Sequence, residues 1–306
     1  MKIYKYSLFF ILSLCLFSSC DKELVVSPQN LLTDDQVFSN KSAIEAYLVN
    51  LYNALPIEDF NYGATTGFNA WPDAPTAVCC LEAIRNVNGN KTSVGDGTWW
   101  NWWGGAYTAI RNVNNFIGNI PSSTCVSNSE KNELRGEAFF LRAYYYFGLV
   151  KRYGGVPIIK TVQNYTGRNL ADLQVPRNKE QEVYDFIADD LDSAVTLLPK
   201  TSIKRGRTNK YVAFALKSRA MLYAASIAKY GNLQLNGVLG VTPADADKYW
   251  KASFNAADSI MESNKYSLYS LNSDPALNFQ KMFLDDGSTN TECIFAKDYT
   301  YPDKAH

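Results

Sequence analysis

The sequence predicts a mostly all-α protein of helical hairpins joined by long loops. Two observations carry this. Apolar residues recur at steps of four, three and four in separate stretches, which places them on one face of a helix. Capping residues open these stretches, and proline or glycine closes them.

Thr33-Asp34-Asp35-Gln36 starts the first helix, and Val37, Ile44, Leu48, Leu51 and Leu55 follow until Pro56 stops it. From Pro56 to Gly97 no period is sustained, and the stretch reads as a long excursion. Such loops inside compact domains are usually functional. Helix returns near Asn101, with Trp103, Tyr107, Ile110, Asn114 and Ile117 on one face, and ends before Pro121. The next helix runs from near Ser129 to Tyr153. Leu134, Ala138, Leu141 and Tyr145 share its face, Ser127 and Glu130 form a capping box, and Gly154-Gly155 ends it. Ile187, Leu191, Ala194 and Leu198 mark a helix capped by Asn178 and Gln181 and stopped by Pro199. Val212, Leu216, Arg219 and Tyr223 mark another before Gly231, and Trp250, Phe254, Ala257 and Met261 one more. Paired helices with large and small apolar residues in turn suggest stacked hairpins of the tetratricopeptide kind. Loops at 154–177 and 231–246 break any fixed period, so an irregular helical bundle fits the pattern equally well.

The N-terminus has its own grammar. Lys2 and Lys5 precede an apolar run from Ser7 to Phe17, and Ser18 and Ser19 lead into Cys20. The run is shorter than the roughly 20 apolar residues that span a bilayer. Residues 1–19 therefore read as a secretory signal with a lipobox-like ending, cleaved before Cys20, whose thiol is then acylated. Each buried acyl methylene contributes ~0.8 kcal/mol, so several chains anchor firmly. An ordinary cleaved signal with a chance cysteine is the alternative. Residues 20–306 read as one helical body.

Composition excludes several classes. Lys plus Arg equals Asp plus Glu, 30 each, so no global field favours nucleic acid. The single histidine, His306, leaves no Ser-His-Asp triad and no histidine-based metal site. Cys79, Cys80, Cys125 and Cys293 are too scattered for a disulfide framework or a zinc site, though a disulfide at Cys125 stays open. Arg142 and Arg219, set among aromatic and small residues, read as buried stems paired with carboxylates. Asp189, Asp190 and Asp192 point in different directions around a helix and read as a solvated face rather than a metal site. No catalytic residues, metal or cofactor are expected.

Further runs resemble a known family. Glu137-Ala138-Phe139-Phe140-Leu141-Arg142-Ala143-Tyr144-Tyr145-Tyr146-Phe147-Gly148-Leu149-Val150 leads into Arg152-Tyr153-Gly154-Gly155-Val156-Pro157. This is similar to the signature helix and turn of SusD/RagB outer-membrane lipoproteins. Val183-Tyr184-Asp185-Phe186-Ile187, Asp190-Leu191-Asp192-Ser193-Ala194, Leu198-Pro199, Gly206-Arg207, Ala213-Phe214-Ala215-Leu216-Lys217-Ser218-Arg219 and Asn290-Thr291-Glu292-Cys293-Ile294-Phe295 follow in the family's order. The resemblance implies an α-rich body with four tetratricopeptide-like hairpins and a more irregular ligand-binding region. It also implies a lipid-anchored, surface-exposed protein that captures glycans, or in some branches peptides. Its partner would be a SusC-like TonB-dependent outer-membrane transporter, to which it delivers the ligand without covalent chemistry. Members are usually much longer, so the resemblance also implies a missing C-terminal region and uncovered apolar surface here.

Candidate ligand contacts lie on the excursion and its end. Four of the six tryptophans fall in Asp96-Gly97-Thr98-Trp99-Trp100-Asn101-Trp102-Trp103. Trp103 shares a helical face with Tyr107 and Ile110 and reads as core. Trp99 and Trp100 sit at the loop-to-helix junction, where an exposed ring stacks on the apolar face of a sugar; packing at the helix start is the equal alternative. By analogy with the family's aromatic arc and polar flanks, Asp73 and Arg85 are the hydrogen-bonding residues. A helical-repeat adaptor and a surface glycosidase are the competing classes, and no glycosidase pattern is evident. Incubation with glycans separates them.

Overall fold

The computed structural model describes residues 32–55, 60–63, 67–70, 103–201, 204, 206–285 and 290–296. Among these residues lie nine α-helices and one two-stranded hairpin. Helices α1 (Asp34–Phe38) and α2 (Lys41–Asn53) come first, then β1 (Phe60–Gly63) and β2 (Gly67–Ala70). They are followed by α3 (Trp103–Asn119), α4 (Asn128–Tyr153), α5 (Leu170–Leu173), α6 (Glu180–Leu197), α7 (Lys210–Tyr230), α8 (Ala246–Met261) and α9 (Pro275–Leu284). Short 3₁₀ turns occupy Ile120–Ser122, Leu235–Gly237 and Pro243–Asp245.

The expected capping boxes form. Thr33 and Gln36 satisfy each other's backbone at α1, and Ser127 and Glu130 do so at α4. The single first helix is instead two. Asn40 leaves helical geometry and caps α2 through its side chain, since a local side-chain bond competes with the helical ladder. At α6 the cap is shifted as well. The Glu182 carboxylate accepts from the Lys179 N–H and from the Asn178 amide, while Asn178 Oδ1 accepts the Ile158 N–H. The excursion is not all loop: Phe60 pairs with Ala70 and Gly63 with Gly67 in an antiparallel hairpin.

Cross-helix bonds set the directions. Trp103 stacks near Tyr153 while Asn114 bonds Arg142, so α3 and α4 run antiparallel. Tyr146 meets Phe186 while Arg142 bonds Asp190, making α4 and α6 antiparallel. Lys217 pairs with Asp192, and the Lys210 N–H donates to the Pro199 carbonyl, which reverses α7 against α6. Ser253 bonds Ser218 and Tyr266 meets Tyr211, which reverses α8 against α7. Successive antiparallel helices stacked in this way are a tetratricopeptide-like arrangement.

Helix α4 is the hub. Fourteen of its 26 residues are buried, more than one face can hold, so neighbours enclose it on several sides. It carries two buried charges, and each is paired. The Arg142 guanidinium donates twice to Asp190, at 2.7 Å each, and also to Asn114 Oδ1 at 2.8 Å and the Lys160 carbonyl at 3.2 Å. Burial pushes the Asp190 carboxyl up, and the Arg142 fork works against that shift. Asp190 is therefore not part of a solvated face, unlike exposed Asp189 and Asp192. Arg219 also departs from expectation: it is exposed, because the buried face of α7 runs through Val212, Leu216, Ala220 and Ala224.

The turn after α4 needs its glycines. Gly154 has φ +67°, and a Cβ on Gly155 would lie 2.0 Å from the Asn178 carbonyl oxygen. The Gly155 N–H donates to the Val238 carbonyl at 2.7 Å, tying the loop after α7 to this corner.

Arg142→Ala strands a buried carboxylate, and losing one partner of a buried pair costs about 3–5 kcal/mol. Equilibrium denaturation should show a loss of that size, and replacing Arg142 and Asp190 together with apolar residues should cost less.

Candidate functional site

Cys20, Asp73, Arg85, Trp99 and Trp100 lie outside the described residues, as do Cys79 and Cys80. Their surroundings are partly visible. Segment 71–102 connects β2 to α3, and α3 opens on Trp103. The Trp103 ring centroid lies 5.2 Å from those of both Tyr107 and Tyr153. The Tyr107 hydroxyl donates to the Pro157 carbonyl at 2.7 Å. Trp103 is thus half-buried against the core side of α3 and α4, as the helical face required.

Loop 154–178 is pinned beside this aromatic group by side-chain donors. Asn114 Nδ2 bonds the Ile159 carbonyl at 2.8 Å. The Tyr146 hydroxyl accepts the Ile159 N–H at 2.7 Å, and Arg177 Nε bonds the Gly155 carbonyl at 2.7 Å. Arg111 reaches the Gln163 carbonyl. Segment 71–102 therefore leads into a rigid base.

A second feature was not anticipated: a cleft of about 260 Å³ between α2, the start of α4 and the turn before α7. Ile44, Val126 and Leu134 give it an apolar floor, and charged side chains rim it. Arg207 bonds Glu137 through both nitrogens of its fork and Glu45 through Nη1 at 3.0 Å. Lys204 pairs with Glu45 at 2.8 Å, and Lys41 with Glu130. The Tyr52 hydroxyl donates to Glu137 at 2.6 Å and accepts the Thr208 N–H at 3.0 Å. Burial pushes the Glu137 carboxyl up, and Arg207 opposes it. Burial also pushes Glu45 up, but its bonds from Lys204 and Arg207 together hold it below the usual range. Sequence spacing could not find this cleft, since Glu45, Glu137 and Arg207 meet only through the tertiary fold. With Glu45, Glu130 and Glu137 each engaged by a cation, the cleft is a braced polar surface. Among the described residues no cluster of His, Cys, Asp or Glu could hold a metal ion. Cys125 is a half-buried free thiol, and Cys293 is half-buried as well.

Residues 24–222 match the SusD-like family, described as starch-binding and associating with the outer membrane. The chain belongs to the SusD-like family. A SusD-like protein of Bacteroides ovatus is 27% identical over 221 residues, covering 68% of this chain and 37% of its own length. The crystal structure of a SusD-like protein from Bacteroides fragilis, 27% identical, matches 88% of this chain and 47% of its own with a TM-score of 0.63. A laminarin-binding SusD-like protein shares the fold at a TM-score of 0.54 and 17% identity, over 84% of this chain and 51% of its own. This SusD-like chain spans about half or less of the length of these relatives.

Glu130 supplies a pH test. The Lys41 ammonium, then the Ser127 N–H and hydroxyl, lower its pKa from the ordinary 4.5 to about 2. A depressed carboxylate stabilises the fold fully above its ordinary pKa, and the contribution fades as pH falls towards the folded value. The melting-temperature gap between the native protein and Glu130→Gln should stay constant above pH 5 or so and close towards pH 2.

Proposed function

We propose that the protein is a cell-surface glycan-capture lipoprotein that binds oligosaccharide and hands it to a SusC-like TonB-dependent transporter in the outer membrane. The observation that carries the reading is the family match over residues 24–222, whose description is starch-binding at the outer membrane. The laminarin-binding protein of like fold agrees with it. In this reading residues 1–19 are the signal, Cys20 bears the lipid, and residues 20–306 form the SusD-like helical body. Capture proceeds by stacking and hydrogen bonding, with no bond made or broken.

Trp99 and Trp100 provide the stacking faces, and Asp73 and Arg85 bond the sugar's hydroxyls. Sugars suit such a site because their C–H faces are apolar while their rims are polar. The segment's attachment to α3 at Trp103 supports this assignment, because a stacking ring must be held by a rigid neighbour. Calorimetric titration with β-glucan and α-glucan oligosaccharides tests it. Trp99→Ala or Trp100→Ala should cost roughly 1–3 kcal/mol of binding, the scale of burying one large apolar side chain, with little change in melting. Trp103→Ala should do the reverse. Full truncation of a core ring costs about 3–5 kcal/mol of stability, and a half-buried Trp103 should lose roughly half that. Early melting of the first two with affinity intact would overturn the site.

The anchor is tested by Cys20→Ala, which should yield a released product or an uncleaved signal in membrane fractionation. Mass spectrometry of the native protein should find acyl chains on that thiol. The partner is tested by mild detergent extraction from the native host, from which a transporter barrel should co-purify.

A further inference from the structure

Unlike Glu137 and Asp190, Glu180 is buried with no cation beside it among the described residues. It opens α6 and is 6% exposed, and further chain could only bury it more. Its Oε2 accepts the Gly240 N–H at 2.6 Å. A Cβ on Gly154 would lie 3.3 Å from the same oxygen, so the carboxylate is packed on the corner that follows α4. The bond ties down loop 231–240, which leaves α7. Gln234 and Leu239 bridge each other within the loop, and the Val238 carbonyl takes the Gly155 N–H. Leu235 and Asn236 at the tip hold φ of +49° and +55°, a left-handed strain that lasts only where surrounding contacts impose it. Two ties therefore hold a strained loop on the Gly154–Gly155 corner, and one of them runs through an acid.

We propose that Glu180 is a proton-operated latch: protonated, it keeps loop 231–240 shut against the Gly154–Gly155 corner, and ionised, it favours the loop's release. A carboxyl out of water favours its neutral form. Burial pushes Glu180 up from its ordinary 4.5, with only the Gly240 N–H opposing. The neutral acid still accepts from Gly240 through its carbonyl oxygen and gains an O–H to donate. Tyr184 is placed to accept it. It lies one turn along α6, is fully buried and near enough to feel the Glu180 charge, and its hydroxyl has no hydrogen-bond partner among the described residues. When the loop lifts, water reaches the carboxyl and its pKa returns towards 4.5. The closed form therefore binds the proton more tightly. Closure is favoured most below about pH 4.5 and loses ground as pH rises through the higher, closed-state pKa.

The loop itself carries no titratable side chain. Around it, Glu182 is bonded to Asn178 and the Lys179 N–H, Asp245 to Gln181, and Arg177 to the Gly155 and Tyr153 carbonyls. The Lys179 stem lies along Gly237. Tyr223 and Tyr249 face Tyr184 from α7 and α8, and phenols as a class are neutral below about pH 8. The latch acts next to the aromatic base, because the Tyr153 that precedes the corner meets Trp103.

Amide hydrogen exchange tests the latch, with each rate divided by the intrinsic rate at that pH. From about pH 4 to about pH 8, protection of the Gly155 and Gly240 amides in the native protein should fall about threefold or more, and further than that of Leu141 inside α4. Glu180→Gln, an isostere of the neutral acid, should hold the low-pH protection throughout. Asp245→Asn should behave as the native protein does. Constant or rising protection in the native protein would overturn the latch, and that arm needs no variant. A fall that survives Glu180→Gln, or one that Asp245→Asn abolishes, would overturn it as well.

Discussion

The enclosure of α4 is the constraint on which the rest of the structure depends. A helix surrounded on several sides cannot send a charged side chain to water, yet α4 carries both Glu137 and Arg142 in its buried set. Burying an isolated charge costs several kcal/mol even after relaxation. The neighbours must therefore deliver opposite charge at fixed positions. Arg142 draws in α6 through Asp190, α3 through Asn114 and the following loop through Lys160. Glu137 draws in α2 through Tyr52 and the turn before α7 through Arg207. Apolar packing supplies most of the driving force, but it tolerates sliding. These two directional clusters do not, and they fix how the helices sit against the hub.

The same geometry joins fold to proposed function. The aromatic base of Trp103, Tyr107 and Tyr153 sits where α3 begins and α4 ends. Segment 71–102, with the proposed stacking rings, enters the body at that point. A sugar-binding ring gains little if it must be ordered at the moment of binding, since immobilising a side chain costs roughly 0.5–1.5 kcal/mol. Attachment to a packed helix end reduces that cost. The charged cleft lies elsewhere, between α2 and the start of α4, where its ion pairs brace the helices.

Much of the helical order was legible because its signals are local. The capping boxes at Thr33 and Ser127, the stop at Gly154 and the face containing Ile110 and Asn114 follow from residues a few positions apart. The Arg142 pairing was anticipated in kind, but its partner Asp190 is 48 residues away and was placed in water by its acidic neighbours. The break at Asn40 went unread because the apolar steps continue across it. The hairpin at 60–70 escaped because its strands are four residues each. On α8 the apolar steps from Trp250 to Met261 mark a real helix, though Phe254 and Met261 on that face are exposed. Tyr249, Ser253 and Ala256 give a second set of steps, and only the position of α7 decides which set is covered. Trp99, Trp100, Asp73 and Arg85 rest on sequence and resemblance.

Loop 154–178 contains only the single turn of α5, yet it is fixed. Its holds are unusual in kind: side chains of α3 and α4, among them Tyr107, Asn114 and Arg142, grip carbonyl oxygens of Pro157, Ile159 and Lys160. Every residue offers the same carbonyl. Apart from Arg177 and Asn178, which hold Gly155 and Ile158 from within the loop, the loop can therefore exchange most of its own side chains while its path stays constant, because the other gripping residues belong to the helices. Divergence among descendants can accumulate on this surface with little penalty to folding, and a new preference for ligand or neighbour can arise there without a new scaffold.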